Sequence, residues 1–283
     1  MTQAKKSIVV LFLALIGVSS FVGCAWFPRN VACNHEFSVD FKVALQYAQM
    51  AQLAYSPEAT IMDSCGTDKC FYIEGEHTEA RAFVRINDSG HIQWVAFRGT
   101  AELSDVKLDA DYTRHVDSVL KMTLHMGFAS ASRELYPLIL QYLKTGYKTR
   151  VTGHSLGGAV AAVSSLYFRK AGFDVTCFTF GQPKVTNVPG ADRADSLDII
   201  RFVNVNDIVT SVPPVDYRPG QDLGAYQHFG KEIELMDGNK FQCIQAPFIN
   251  QFDAEYWWNH MQEQSVKDHS MINYLNKIAA LAH

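Results

Sequence analysis

No Cys-x-x-Cys pair and no His-Glu-x-x-His run occurs in the 283 residues, so the usual ligand spacings of a zinc site are missing. An excess of one charge is missing too: 25 basic against 29 acidic side chains leave a formal net charge of −4. A chain so balanced has no electrostatic footprint for nucleic acid and no polybasic patch for anionic lipid. No apolar run reaches the roughly 20 residues that a bilayer-spanning helix requires. No internal repeat or low-complexity tract breaks the chain, which favours a single folded domain. At 48% hydrophobic, 19% charged and 12% aromatic, the composition is globular, with enough apolar residues for a core.

What is present begins at the N-terminus. Lys5 and Lys6 precede an apolar run from Ile8 to Val18, followed by small residues up to Gly23. That order predicts a secretory signal peptide over residues 1–23. Its end, Phe21-Val-Gly-Cys24, resembles a bacterial lipoprotein cleavage box with phenylalanine where leucine is usual. The resemblance implies a lipidated Cys24 that tethers the mature protein to a membrane surface. With no Asp at position 25, it points to the outer membrane or cell envelope, and otherwise to a secreted protein.

The chain has six cysteines, and export favours disulfides over metal or redox roles. Cys65 and Cys70 flank a short polar loop that can close on itself. Cys177, in the apolar run Val175–Phe180, reads as a small buried thiol on a strand. Cys33 and Cys243 remain as a second pair.

Past a linker at residues 24–39, residues 40–283 read as one α/β domain. Val43, Ala44, Tyr47, Ala48, Ala51 and Ala54 recur at helical spacing between Asp40 and Tyr55, and a second helix is expected over Ala131–Lys144. Ala80–Asn87 and His91–Phe97 read as a hairpin turned at Asn87-Asp-Ser-Gly90. Further strands are predicted at Thr149–Thr152, Val175–Phe180 and Ile199–Val205, with a helix from Ala159 to about Arg169. Strands alternating with helices imply a mostly parallel sheet covered on both faces.

The sharpest chemical signal is Gly153-His-Ser155-Leu-Gly157, between a strand and a helix. A nucleophile elbow needs this arrangement: the turn is strained, and no side chain fits two residues either side of the serine. The elbow is expected to expose the Ser155 hydroxyl and to aim the Leu156 N–H, at the helix start, at a developing oxyanion. A serine needs a base, oriented by an acid, and on this kind of sheet they follow in that order. Asp207 stands at the carboxyl end of the Ile199–Val205 strand, where catalytic groups of parallel sheets gather. Asp198, Asp216 and Asp222 are less well placed. Of the later histidines, His228, His260, His269 and His283, the last would be poorly held, and His228 and His269 cannot be separated by order alone. A second oxyanion donor is expected from Thr100, where the run Trp94–Thr100 ends.

Together these residues resemble the class 3 lipase family. Ala96-Phe-Arg-Gly-Thr100, His125-Met-Gly-Phe128, Thr152–Gly158, Phe178-Thr-Phe-Gly-Gln-Pro183, Asn206-Asp-Ile-Val209 with Val212-Pro-Pro214, and Asp268-His269 with Tyr274 occur in the family's order. The resemblance implies an α/β-hydrolase fold with Ser155 as nucleophile, Asp207 as acid and His269 as base. It also implies a structural role for His228, and Thr100 and Leu156 as the oxyanion hole.

The family's lid would fall at residues 101–124, a stretch that is charged and lacks the usual tryptophan. Residues 240–266 match poorly, and Phe248, Phe252, Tyr256, Trp257 and Trp258 there read as core rather than as the wall of an acyl pocket. The implied activity is hydrolysis of acyl esters of lipids through an acyl-enzyme, with no cofactor and no metal. Alternatives with the same triad are a phospholipase A or an acyltransferase. A catalytically silent envelope binding protein is a reading of another class.

Overall fold

The computed structural model describes residues 38–100, 113–194, 196–213, 225–244 and 263–283. The signal peptide, Cys24, Cys33, the first half of the expected lid and the aromatic group at 248–258 lie outside the described residues, as do Asp216, Asp222 and His260.

The chain folds around an eight-stranded sheet. Its elements are β1 (Lys69–Glu74), β2 (Arg81–Asn87), β3 (Ile92–Phe97), β6 (Lys148–His154), β7 (Asp174–Phe180), β9 (Asp198–Asn204), β11 (Lys231–Met236) and β12 (Lys240–Ile244), in that spatial order. The five strands from β3 to β11 run parallel, and the hairpins at the two edges are antiparallel. This is the mostly parallel sheet that the sequence predicts.

Both faces are buried, which explains why the strands read as continuous apolar runs. Val95, Phe97, Val151, Cys177 and Ile199 point to one face, covered by α3 (Met126–Leu140) and α4 (Leu156–Lys170). Trp94, Ala96, Phe178, Phe180, Ile200 and Phe202 point to the other, covered by α1 (Phe41–Leu53) and the C-terminal helix α7 (Met271–Leu281). Asp40 caps α1 by accepting the Lys42 and Val43 N–H groups at 2.8 and 3.3 Å.

Several boundaries differ from the sequence expectation. Helix α3 starts five residues earlier than Ala131 and stops at Leu140 rather than Lys144. The cause is tertiary: the Gln93 amide of β3 accepts from Lys144 N at 2.8 Å and donates to Lys144 O at 3.1 Å, pulling that residue out of the helix. Helix α4 begins at Leu156, three residues before Ala159, because the elbow feeds directly into it. Asp198 opens β9 instead of preceding it.

A short helix, α2 (Glu58–Ser64), and strand β1 were not foreseen, and Cys70 is the second residue of that strand. A small second sheet was also not foreseen. It pairs β10 (Tyr226–Gln227), β8 (Thr186–Asn187), β5 (Thr123–His125) and β4 (Arg114–Val116), and it includes the second half of the segment expected to be a lid. Strands of two or three residues carry no readable periodicity. Helix α5 (Val188–Ala194) follows β8.

Cys65 and Cys70 form a disulfide, and Cys177 is a buried free thiol. Cys243 is also disulfide-bonded, to a partner outside the described residues.

Candidate active site

The site sits at the carboxyl ends of β6, β7 and β9. Ser155 follows β6 and stands just before α4 with φ +56° and ψ −129°, the strained conformation that an elbow demands. Its neighbours must be glycine for steric reasons. A Cβ on Gly153 would lie 2.3 Å from Gly157 O, and one on Gly157 would lie 2.5 Å from Phe97 O and 2.7 Å from Gly99 N. The second near-contact packs the end of β3 and the following Arg98-Gly99, just before Thr100, against the first turn of α4. Thr100 is exposed there, and the Leu156 N–H belongs to the first helical turn, whose donors have no partner within the helix. Leu156 directly follows Ser155, and Thr100 follows Gly99, which packs against Gly157. Ser155 itself is only 3% exposed, unlike the solvent-facing hydroxyl expected, because its side chain is turned onto His269.

Asp207 begins a 3-10 turn, Ile208–Ser211, after β9, and caps it by accepting Val209 N–H at 2.9 Å. His269 is the last residue of α6 (Glu263–His269) and is followed by the Ser270 cap of α7. The three residues form one hydrogen-bonded line. His269 Nε2 lies 2.8 Å from Ser155 Oγ, and Nδ1 lies 3.0 and 2.9 Å from the two Asp207 oxygens. With the Nδ1 proton directed at the carboxylate, Nε2 is free to accept the serine proton.

Burial opposes the charge on Asp207. The His269 ring and the Tyr274 hydroxyl, which donates at 2.6 Å, nevertheless hold its carboxyl below the usual range. Tyr274 is fully buried and also accepts Asn204 N–H at 2.9 Å, tying the acid to the end of β9. Gly181, at φ +56°, lets the β7 end pass alongside. A Cβ there would stand 2.8 Å from Asp207 Oδ2 and 3.0 Å from His269. Sequence reading assigned no role to Tyr274 or Gly181 beyond their place in motifs, since neither carries a local signal of contact with the acid.

His228 is buried away from this line. Its Nε2 donates to Thr210 O at 2.7 Å, and burial together with Arg201 and Lys184 holds its pKa well below 6.5. Lys184 reinforces the same turn, donating from Nζ to Ser211 O at 2.8 Å and from its backbone N–H to Val212 O at 2.7 Å. His228 therefore braces the loop that presents Asp207, and His269 occupies the position of a base.

A serine, a histidine and a buried carboxylate in this line, on the strand ends of a doubly covered parallel sheet, define a serine hydrolase of the α/β-hydrolase fold. The sequence pattern of "Lipase (class 3)" matches residues 94–217, which hold Ser155 and Asp207. The chain is 26% identical over 261 residues to Secreted mono- and diacylglycerol lipase 1 of Fusarium solani, covering 81% of this chain and 76% of that one. It is 31% identical over 151 residues to Phospholipase A1 EG1, chloroplastic/mitochondrial, of Oryza sativa subsp. indica, but this match spans 46% of the chain and only 34% of the rice protein. Among solved structures, the lipase from Rhizopus microsporus var. chinensis superposes with a TM-score of 0.64 at 26% identity, covering 82% of this chain and 86% of that one. Over residues 94–217 the chain is similar to the class 3 lipase family.

The buried histidines make the fold sensitive to acid. His154, in the elbow, is pulled from 6.5 down to about 3 by burial and by the neighbouring His269, and His228 is depressed likewise. Each stays neutral when folded but takes up a proton in the unfolded chain. The stability linked to them is complete above pH 6.5 and drains away as the pH falls below it. The thermal midpoint should be lower at pH 5 than at pH 7.5, and the drop should be smaller in His228→Gln. Equal midpoints at the two pH values would contradict this.

Proposed function

We propose that this protein hydrolyses acyl esters of lipids through a covalent acyl-enzyme on Ser155. The observation that carries this reading is the unbroken hydrogen-bonded line from Ser155 through His269 to Asp207. Ser155 Oγ attacks the ester carbonyl as His269 Nε2 takes its proton, and Asp207 holds the imidazole and offsets its positive charge. The backbone N–H groups of Leu156 and Thr100 donate to the oxyanion. His269 then passes the proton to the leaving alcohol, and a water activated by the same base releases the acid from Ser155. This chemistry calls on no cofactor.

The name of the Fusarium relative supports a neutral glyceride as substrate. A phospholipid is the second reading, favoured by the match to the rice phospholipase A1. Hydrolysis of triacyl-, diacyl- and phosphatidyl-glycerol substrates of graded chain length, compared with Ser155→Ala, separates the two. Wild-type protein should release fatty acid. Ser155→Ala should lose several orders of magnitude in turnover, since the residues of a triad act as a unit. Retained turnover in Ser155→Ala would overturn the reading.

We also place the protein outside the cytoplasm. The Cys65–Cys70 disulfide supports an oxidising compartment, and the Fusarium relative is named as secreted. The Phe21-Val-Gly-Cys24 box supports a lipid anchor on Cys24, with the protein held at a membrane surface in the envelope. Cys24→Ser should move the protein from the membrane fraction to the soluble one, and unchanged partitioning would contradict the anchor.

A further inference from the structure

Two side chains outside the triad join the nucleophile, the base and the oxyanion strand. Tyr55 lies just past α1, and its hydroxyl is 2.7 Å from Nδ1 of His154, the residue before Ser155. His154 Nε2 is 2.6 Å from the backbone carbonyl of His269. Gly99, next to Thr100, packs against the same Tyr55 oxygen, which a Cβ on Gly99 would meet at 2.3 Å.

The chemistry of the ends fixes every proton between them. A carbonyl only accepts, so His154 carries its hydrogen on Nε2. Nδ1 is then the acceptor, and the Tyr55 hydroxyl donates to it. Burial and the neighbouring His269 pull the His154 pKa to about 3, so the ring keeps this single tautomer at neutral pH.

The position of the bonded carbonyl gives the chain its purpose. His269 closes α6, and the last carbonyls of a helix have no partner within it. Two of them are claimed from the sheet: Asn204 Nδ2 donates to Asp268 O at 2.6 Å, and His154 donates to His269 O. The His154 and His269 rings lie with centroids 4.6 Å apart, so a tilt of one is felt by the other.

We propose that Tyr55 and His154 are positioning residues, forming one hydrogen-bonded chain from the Tyr55 hydroxyl, packed against Gly99, through the His154 ring to His269 O. This chain holds the base and the oxyanion strand in register with Ser155. It rests on the serine-hydrolase reading above and adds residues that touch neither substrate nor the reacting atoms. Tyr55 and His154 are 99 residues apart, and His154 and His269 are 115 apart, so the chain ties three distant segments at one point.

The test is steady-state hydrolysis of p-nitrophenyl butyrate, together with the rate of labelling by a p-nitrophenyl alkylphosphonate. The variants are Tyr55→Phe, His154→Gln, His154→Leu and the double variant Tyr55→Phe/His154→Leu, each shown to be folded by near-UV circular dichroism. Loss of one such hydrogen bond corresponds to a drop in kcat of about tenfold, so Tyr55→Phe should fall by that factor with KM nearly unchanged. His154→Leu should fall further. His154→Gln, whose amide can still donate to His269 O, should recover much of the loss. The double variant should be no slower than His154→Leu, because the two residues serve one chain.

Wild-type kcat in Tyr55→Phe and His154→Leu would overturn the proposal. Equal impairment of the Gln and Leu variants, or multiplicative losses in the double variant, would overturn it as well. Failure of the serine-hydrolase reading looks different: wild-type protein would then resist the phosphonate, and this inference would fall with it.

Discussion

The His269 imidazole is gripped from opposite sides by groups that the chain delivers from separate strand ends, and the site depends on that grip. Asp207 arrives after β9 and Ser155 after β6, while His269 itself arrives at the end of α6 near the C-terminus. Parallel strands bring their carboxyl ends to one edge of a sheet, so residues distant in sequence meet without long loops. The near-contacts of Gly153 and Gly157 with their surroundings then leave the elbow little freedom.

Such a site buries charge, and the structure meets that cost with hydrogen bonds. Asp207 is 4% exposed, yet its oxygens accept from His269, from Tyr274 and from Val209 N–H. A carboxylate so completely bonded stays ionised where burial alone would protonate it. The same principle orders the surrounding shell. Lys184 and His228 spend their donors on the carbonyls of the turn behind Asp207, and Asn204 and His154 spend theirs on the carbonyls around His269. Polar groups buried in this way hold loops as firmly as packing does, since an unmet partner would be costly.

The sequence reveals this site unevenly. Ser155 was legible because the elbow's steric demand leaves glycine at 153 and 157, and Asp207 because it closes an apolar run. His269 and His228 were not separable from the residues, since both lie in polar surroundings before a regular element. Only the family resemblance favoured one, and the structure gives the physical reason in the carbonyl that occupies His228 Nε2. The sheet and its two helical layers followed from apolar patterning. The end of α3 did not, because the Gln93 side chain, some 50 positions away, competes for the backbone of Lys144. Tyr55 escaped notice for the same reason: its partner is a ring atom 99 residues on.

The most direct test of this account is a crystal structure of the protein after reaction with an alkylphosphonate ester, which mimics the tetrahedral intermediate. The account predicts a covalent bond from phosphorus to Ser155 Oγ, with His269 Nε2 beside the leaving-group oxygen. The phosphoryl oxygen should lie within hydrogen-bonding distance of the Leu156 and Thr100 backbone N–H groups. Phosphorus on any other residue, or a phosphoryl oxygen turned away from those two donors, would contradict it.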